Sequence, residues 1–375
     1  MQKKLIVLAL ASAFAVPAFA ATSNVDIYGQ LDVSVDYVSG LGSLPSTSSF
    51  GGASNHAWRL SSNASRIGLK GSEDLGGGLA AIWQIEQGVR LDAGTGQANG
   101  TLWGNQRNTF LGMKGGFGTV LAGTHDTPYK LSTGSLDPFA DTAGDYNAII
   151  GSFDGVNTSD LRLGNVLAYI SPTFSGLTVA VATSFLKETG MSNFTGSPTA
   201  WTGMVNYANG PLYLAAGYEI AKHVGTTVGF DDVDIRSWKL GAGYTFGNAT
   251  VNAIYDNIKL SNNTSTTDVK RSAFGLNGVY NMGNIALKAG IYKAGKISNT
   301  SDTGAMFYEL GADYNLSKRS KLYAVYAHTN NDSNADYCVG GSLDAGFGAS
   351  GVNTTCSRFT GKDPSALSIG MRHTF

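Results

Sequence analysis

From Val25 to Tyr37 the chain alternates without a break. Val25, Ile27, Gly29, Leu31, Val33, Val35 and Tyr37 fall on one face, and Asp26, Tyr28, Gln30, Asp32, Ser34 and Asp36 on the other. A period of two is the signature of a strand with one apolar face. The C-terminus repeats it, with Leu367, Ile369, Met371, His373 and Phe375 alternating with Ser368, Gly370, Arg372 and Thr374. So do Trp238-Leu240-Ala242-Tyr244-Phe246, Phe274-Leu276-Gly278-Tyr280, Ile285-Leu287-Ala289-Ile291 and Tyr308-Leu310-Ala312-Tyr314, each read at every second position. Many of the runs span nine to thirteen residues. Strands of soluble domains average ~5–6 residues, whereas a tilted strand needs ~9–11 to cross a bilayer.

Composition agrees with strands that meet lipid. Charged residues make up 14% of the 375, against roughly 25% in an average soluble domain. Fifty glycines, only eight prolines and a net charge of −1 argue against a disordered tail, a coiled coil and a basic nucleic-acid binder. Beyond Ala21 no apolar run approaches the ~18 residues of a membrane helix.

The first twenty residues read as a cleaved targeting segment. Lys3 and Lys4 form a basic start, an apolar stretch runs from Leu5 to Val16, and Ala18-Phe19-Ala20 offers small residues at the cleavage positions. This makes the chain an exported one, with residues 21–375 forming a single domain. Cys338 and Cys356 lie in one loop-like stretch, where an oxidising compartment permits a disulfide; free thiols are the alternative.

The connections alternate in length. Seven short turns fall at 74–78, 115–118, 171–176, 208–211, 247–248, 281–284 and 315–320. Eight long polar stretches fall near 38–57, 91–105, 125–162, 187–199, 222–236, 260–271, 295–306 and 329–365. Seven plus eight connections join sixteen antiparallel strands, with both termini on the short-turn side. That is the asymmetry of an outer-membrane barrel, with short periplasmic turns and long extracellular loops. Tyr207, Phe246, Tyr280, Tyr314 and Phe375 sit at the short-turn ends, where amphipathic rings suit a membrane interface. In lipid every backbone polar group must pair internally, and only closure into a barrel does this for strands.

Several ordered segments carry a resemblance. They include Val25-Asp26-Ile27-Tyr28-Gly29, Ser65-Arg66-Ile67-Gly68-Leu69-Lys70-Gly71, Ile82-Trp83-Gln84-Ile85-Glu86 and Trp103-Gly104-Asn105-Gln106-Arg107. Further along come Gly115-Gly116-Phe117-Gly118-Thr119-Val120, Tyr169-Ile170-Ser171-Pro172, Asn315-Leu316-Ser317-Lys318-Arg319-Ser320 and Gly370-Met371-Arg372-His373-Thr374-Phe375. Taken in order from residue 25 to 375, the set resembles the general trimeric porins of β-proteobacteria, the neisserial and Burkholderia–Bordetella type.

The resemblance implies a sixteen-stranded barrel in the outer membrane and a homotrimer that passes small hydrophilic solutes and ions by diffusion. It also implies a third long loop, about 125–162, folded into the lumen. Selectivity then arises from basic wall residues facing acids of that loop. By motif position the wall residues are Arg66, Arg107 and Arg162, with Lys70 sharing the parity of Arg66. Asp137, Asp141 and Asp145, four residues apart, are the loop candidates. Where relatives carry an Arg-rich stretch after Phe-Gly-Thr-Val, this chain has Leu121-Ala122-Gly123-Thr124, so a weak preference for anions is expected. The terminal Phe375 resembles the signal read by the outer-membrane assembly machinery, and outer-membrane lipid and lipopolysaccharide are the surrounding partners.

Nothing in the sequence suggests an enzyme, a cofactor or a metal. His56, His125, His223, His328 and His373 show no helical metal spacing, Gly94-Thr95-Gly96 lacks a nucleotide-binding frame, 92–100 lacks the alternating carboxylates of a calcium loop, and no G-x-S-x-G elbow occurs. A substrate-specific channel and a barrel serving as adhesin or anchor are the competing functions.

Overall fold

The computed structural model describes residues 23–40, 56–92, 102–185, 199–224, 232–263, 268–339 and 360–375. The targeting segment and Cys356 lie outside them.

The long alternating runs become sixteen antiparallel strands. In chain order they are β1 Ser23–Ser39, β2 in two pieces (His56–Ser62 and Arg66–Gly76), β3 Leu79–Val89, β4 in two pieces (Trp103–Gln106 and Thr109–Gly115) and β5 Gly118–Asp126. Then follow β6 Arg162–Ile170, β7 Leu177–Phe185, β8 Thr199–Asn209, β9 Leu212–Val224, β10 Val233–Phe246 and β11 Ala249–Asn262. The last five are β12 Asp268–Met282, β13 Ile285–Ala294, β14 Ala305–Asn315, β15 Ser320–Asn331 and β16 Ser365–Thr374.

Each strand pairs with the next, and β16 closes on β1 from Gln30↔Thr374 to Ser39↔Ser365. Closure extends one residue further, because Phe375 and Gly29 exchange backbone hydrogen bonds of 3.1 Å in both directions. A Cβ on Gly29 would lie 2.4 Å from Cζ of Phe375, so only glycine admits that ring. The short turns and long connections fall where the alternating lengths place them.

Parity sorts the two faces. Ile27 is 67% exposed and Asp32 is 0% exposed on the same strand, the inverse of a soluble protein. Leu111, Val181, Trp201, Leu240, Leu310 and Ile369 repeat the outward apolar pattern around the barrel. Such a band is stable against lipid and would aggregate in water.

The sequence reads 125–162 as a polar stretch, and the structure departs from that reading. The segment between β5 and β6 carries helix α1 (Pro128–Thr133), which Thr127 caps by accepting from the amide of Lys130 at 3.2 Å. Two 3-10 turns, Gly134–Leu136 and Tyr146–Ala148, and a small hairpin of Ser152–Phe153 with Val156–Asn157 follow. Leu136, Phe139, Tyr146, Ile149, Ile150 and Phe153 are all buried. They pack against inward residues of the wall, among them Ile254, Tyr292 and Val325 for the larger cluster. The barrel's apolar core is thus the loop pressed on the inside of its own wall.

Irregular backbone inside a barrel must find partners. Here the wall supplies them in sequence. Tyr213 of β9 donates to the carbonyl of Ser132, Asn252 of β11 and Asn277 of β12 to that of Leu136, Lys288 of β13 to that of Pro138, and Arg271 of β12 to that of Ile149. Close approach needs a bare wall at Gly241, where a Cβ would stand 2.6 Å from Cδ1 of Leu136.

Candidate functional site

Three strand irregularities set the wall arginines. In β2 the ladder breaks at 63–65, where Ala64 takes φ 49°, the amide of Asn63 donates to the carbonyl of Asp32, and the Ser65 hydroxyl bonds both the amide and the carbonyl of Asp32. Arg66 starts the strand again directly after this break. Arg107 sits in the gap of β4, its amide bonded to the carbonyl of Glu86 at 3.0 Å. Arg162 begins β6, next to a register shift between Leu163 and Val166 and an Asn165 at φ 52°. Bulges and breaks of this kind re-aim side chains beside functional sites.

The guanidinium of Arg66 places Nη1 3.4 Å from Oδ2 of Asp141 on the loop, and Nε 3.9 Å from Glu86. Arg107 Nε donates to Oε1 of Glu86 at 2.6 Å, and the Tyr28 hydroxyl donates to Oε2 at 2.9 Å. Arg162 pairs with Asp126 at 3.1 Å and donates to Oδ1 of Asn108 at 2.8 Å. Lys130 of α1 reaches the same Asp126 at 3.2 Å. The structure therefore brings Arg66 and Arg107 together at Glu86, with Asp141 paired to Arg66 and Arg162 on its own carboxylate. Lys70 lies four positions below Arg66, about 13 Å along the strand, where its Nζ is 5.2 Å from the ring centre of Tyr28.

The three loop aspartates do not act as a set. Asp141, at φ 62°, alone meets a wall arginine. Asp137 is buried and accepts from the amides of Phe139 and Tyr146 at 2.8 and 3.1 Å. Asp145 accepts from the amides of Asp141 and Asn147 at 3.0 and 2.9 Å. Neither is within ion-pair distance of a basic side chain among the described residues. They fold the loop tip. Burial, then the neighbouring charge of Asp145, pushes the Asp137 carboxyl well up. Burial also raises that of Asp145, to about 6, against the amide bonds that favour its charge.

Sequence reasoning missed part of the strip. Arg372 of β16 pairs with Asp32 of β1 and donates from Nη2 to the carbonyls of Ala140 and Asp141 at 3.1 and 3.4 Å. Tyr323 donates to the other oxygen of Asp32 at 2.7 Å. Lys288 and Lys321 share Asp313 at 2.8 and 2.7 Å. Parity offered a signal, since Arg372 and Asp32 both stand on the polar face of an alternating run. Counting ion-paired groups among the described residues, seven cations (Arg66, Arg107, Arg162, Lys130, Arg372, Lys288 and Lys321) share five carboxylates (Asp141, Glu86, Asp126, Asp32 and Asp313) along the strip. Cys338 is disulfide-bonded, with its partner outside the described residues.

A closed sixteen-stranded barrel with an apolar outer band, a polar lumen and a charged inner strip defines an outer-membrane channel. The family profile for Gram-negative porins matches residues 7–334, and the chain belongs to that family. It is 29% identical to outer membrane porin protein 32 of Delftia acidovorans, over the full length of both chains. It is 31% identical to the major outer membrane protein P.IB of Neisseria meningitidis serogroup A, over 85% of this chain and 91% of that one. Among solved structures, an anion-selective porin from Comamonas acidovorans superposes with a TM-score of 0.75 at 25% identity, covering 94% of this chain and all of that one. The chain is a diffusion channel of the outer membrane and not an enzyme.

Proposed function

We propose that the strip of Arg66, Arg107, Arg162 and Asp141 is the selectivity constriction of a general diffusion porin, and that it favours small anions. The supporting observation is that the ion-paired groups of the strip number seven cations to five carboxylates among the described residues, with Asp141, of the three loop aspartates, paired to a wall arginine. Fixed charges in a narrow lumen with low-dielectric walls act on a passing ion more strongly than in bulk water. The Comamonas neighbour, described as anion-selective, supports the sign. Lys70 adds positive potential on the periplasmic side of the strip. Assembly as a homotrimer, export with cleavage after Ala20, recognition of Phe375 by the assembly machinery and a Cys338–Cys356 disulfide belong to the same reading.

The test is reconstitution of the folded protein in a planar bilayer under a salt gradient. Steps grouped in threes with a reversal potential of the anion-selective sign support the proposal. A verified folded barrel without conductance overturns it and favours an anchor, and a cation-selective potential overturns the charge assignment.

A further inference from the structure

Arg236 of β10 lies directly opposite Lys259 of β11, and Lys259 lies directly opposite Lys270 of β12. The three are consecutive cross-strand partners in a row. Their neighbours along each strand, Ile235 and Ser237, Ile258 and Leu260, and Arg271, are buried on the inner side. By alternation the row therefore points outward.

Adjacent strands are spaced about 4.8 Å apart, so three cations occupy roughly 10 Å of surface. Like charges directly opposite in a ladder destabilise it. Local compensation is incomplete. Lys259 pairs with Asp268 at 2.5 Å, Arg236 reaches Asp234 only at 3.9 Å, and the Lys270 ammonium has no ion-pair partner among the described residues. Both pairs are partly exposed to the surroundings, where such bridges contribute little.

The level of the row within the membrane follows from the aromatic residues beneath it. Tyr218 faces Trp238 across the β9–β10 ladder, the rings of Trp238 and Tyr255 meet in a tilted contact with centroids 5.2 Å apart, and Tyr255 faces Phe274. At the short-turn end the same strands carry Tyr244, Phe246 and Tyr280. Trp238 and Phe246 are eight positions apart. At ~3.3 Å per residue and a tilt near 40°, that is about 20 Å across the membrane, comparable with the ~25 Å apolar band between the two girdles of such barrels. The basic row starts two residues beyond Trp238, on the side of the long loops. It stands at the headgroup level of the outer leaflet.

We infer that Arg236, Lys259 and Lys270 form a binding site for the phosphate groups of the outer-leaflet glycolipid, whose acyl chains lie over Trp238, Tyr255 and Phe274. Charge-assisted bonds from three adjacent donors to phosphate oxygens offset the repulsion along the row. A protein–protein contact here would bury the same cations with too few carboxylates to match them. The inference rests on the outer-membrane reading, which places the long loops outside the cell. It does not depend on the selectivity of the lumen.

The experiment uses the folded full-length protein in detergent micelles, titrated with bis-phosphorylated lipid A and followed by unfolding temperature and native mass spectrometry. The triple variant R236Q/K259Q/K270Q is expected to bind at least tenfold more weakly than the native chain. Dephosphorylated lipid A is expected to bind the native chain as weakly as lipid A binds that variant. Phosphatidylglycerol is expected to bind more weakly than lipid A. Undiminished lipid A binding by the variant overturns the site, and equal binding of phosphatidylglycerol overturns its assignment to the glycolipid. Single-channel conductance in a phosphatidylcholine bilayer verifies that the variant is folded. Native conductance with undiminished lipid binding removes this inference and leaves the porin reading intact.

Discussion

Arg372 and Asp32 are direct cross-strand partners at the seam where the last strand closes on the first. The same guanidinium holds the carbonyls of Ala140 and Asp141 at the tip of the inward loop. One side chain thus ties the seam of the barrel to the loop tip that carries Asp141 opposite Arg66. Its planar fork, with several donors in fixed directions, suits it to bridge three acceptors in a way that a lysine does not.

Removing Arg372 leaves Asp32, fully buried, with only the hydroxyl of Tyr323 to hold its charge among the described residues. Breaking a buried pair in this way destabilises by about 3 kcal/mol. R372A is expected to unfold at lower denaturant and to show more open-channel noise as the loop tip loosens. R372K keeps the charge but not the fork. It is expected to retain selectivity while its noise rises, and native noise in R372K would show that charge alone matters.

Arg66 and Asp141 carry opposite signs at one place. R66Q is expected to move the reversal potential toward cations, and D141N toward anions. The double variant is expected to fall between them. Planar-bilayer recordings in a salt gradient read all three, and an unmoved potential in either single variant would remove that residue from the constriction.

The loop tip has a pH dependence of defined sign. The carboxyl of Asp145 lies at about 6, above the ordinary aspartate range, because it is buried, and that of Asp137 is raised as well. A folded-state pKa above the unfolded one means that the folded loop binds more protons, so its stability falls as pH rises. For Asp145 the fall runs from about 4 to about 6 and then levels. Hydrogen exchange of the amides of residues 137–147 is expected to be slower at pH 4 than at pH 6.5, after correction for intrinsic rates. Constant protection across that window would refute the account.

Gly241 is where the wall admits Leu136. A valine there places atoms within 2.6 Å of Cδ1 of Leu136. Overpacking of this kind destabilises by about 1–3 kcal/mol, and Gly241 is fixed by ladders to β9 and β11, so the strain falls on the loop. G241V is expected to keep the heat-modifiable mobility of a folded barrel on gels while its conductance changes. Native conductance in G241V would mean that the loop is not held at this point.

Much of the fold was legible from the residues. The alternation of Val25 to Tyr37 and of Leu367 to Phe375 marks strands with one lipid face. The alternating connection lengths yield sixteen of them. Both signals are local: side chains in a strand alternate whatever the strand pairs with, and a turn of two residues is short in any register. Arg66 and its parity with Lys70 were visible for the same reason.

Tertiary structure alone decided how these residues meet. No local pattern distinguishes Asp141, which reaches Arg66, from Asp137, whose oxygens turn back to the amides of Phe139 and Tyr146. The breaks at 63–65 and at 107–108 interrupt the period that made the strands readable, and they aim Arg66 and Arg107. Arg372 meets Asp32 only because the barrel closes, joining positions 340 residues apart. Period and turn length are properties of neighbouring residues and survive in the sequence. The meeting of Arg66, Arg107 and Asp141 depends on closure, register and the packing of one loop against a distant wall, and these exist only when the whole chain is folded.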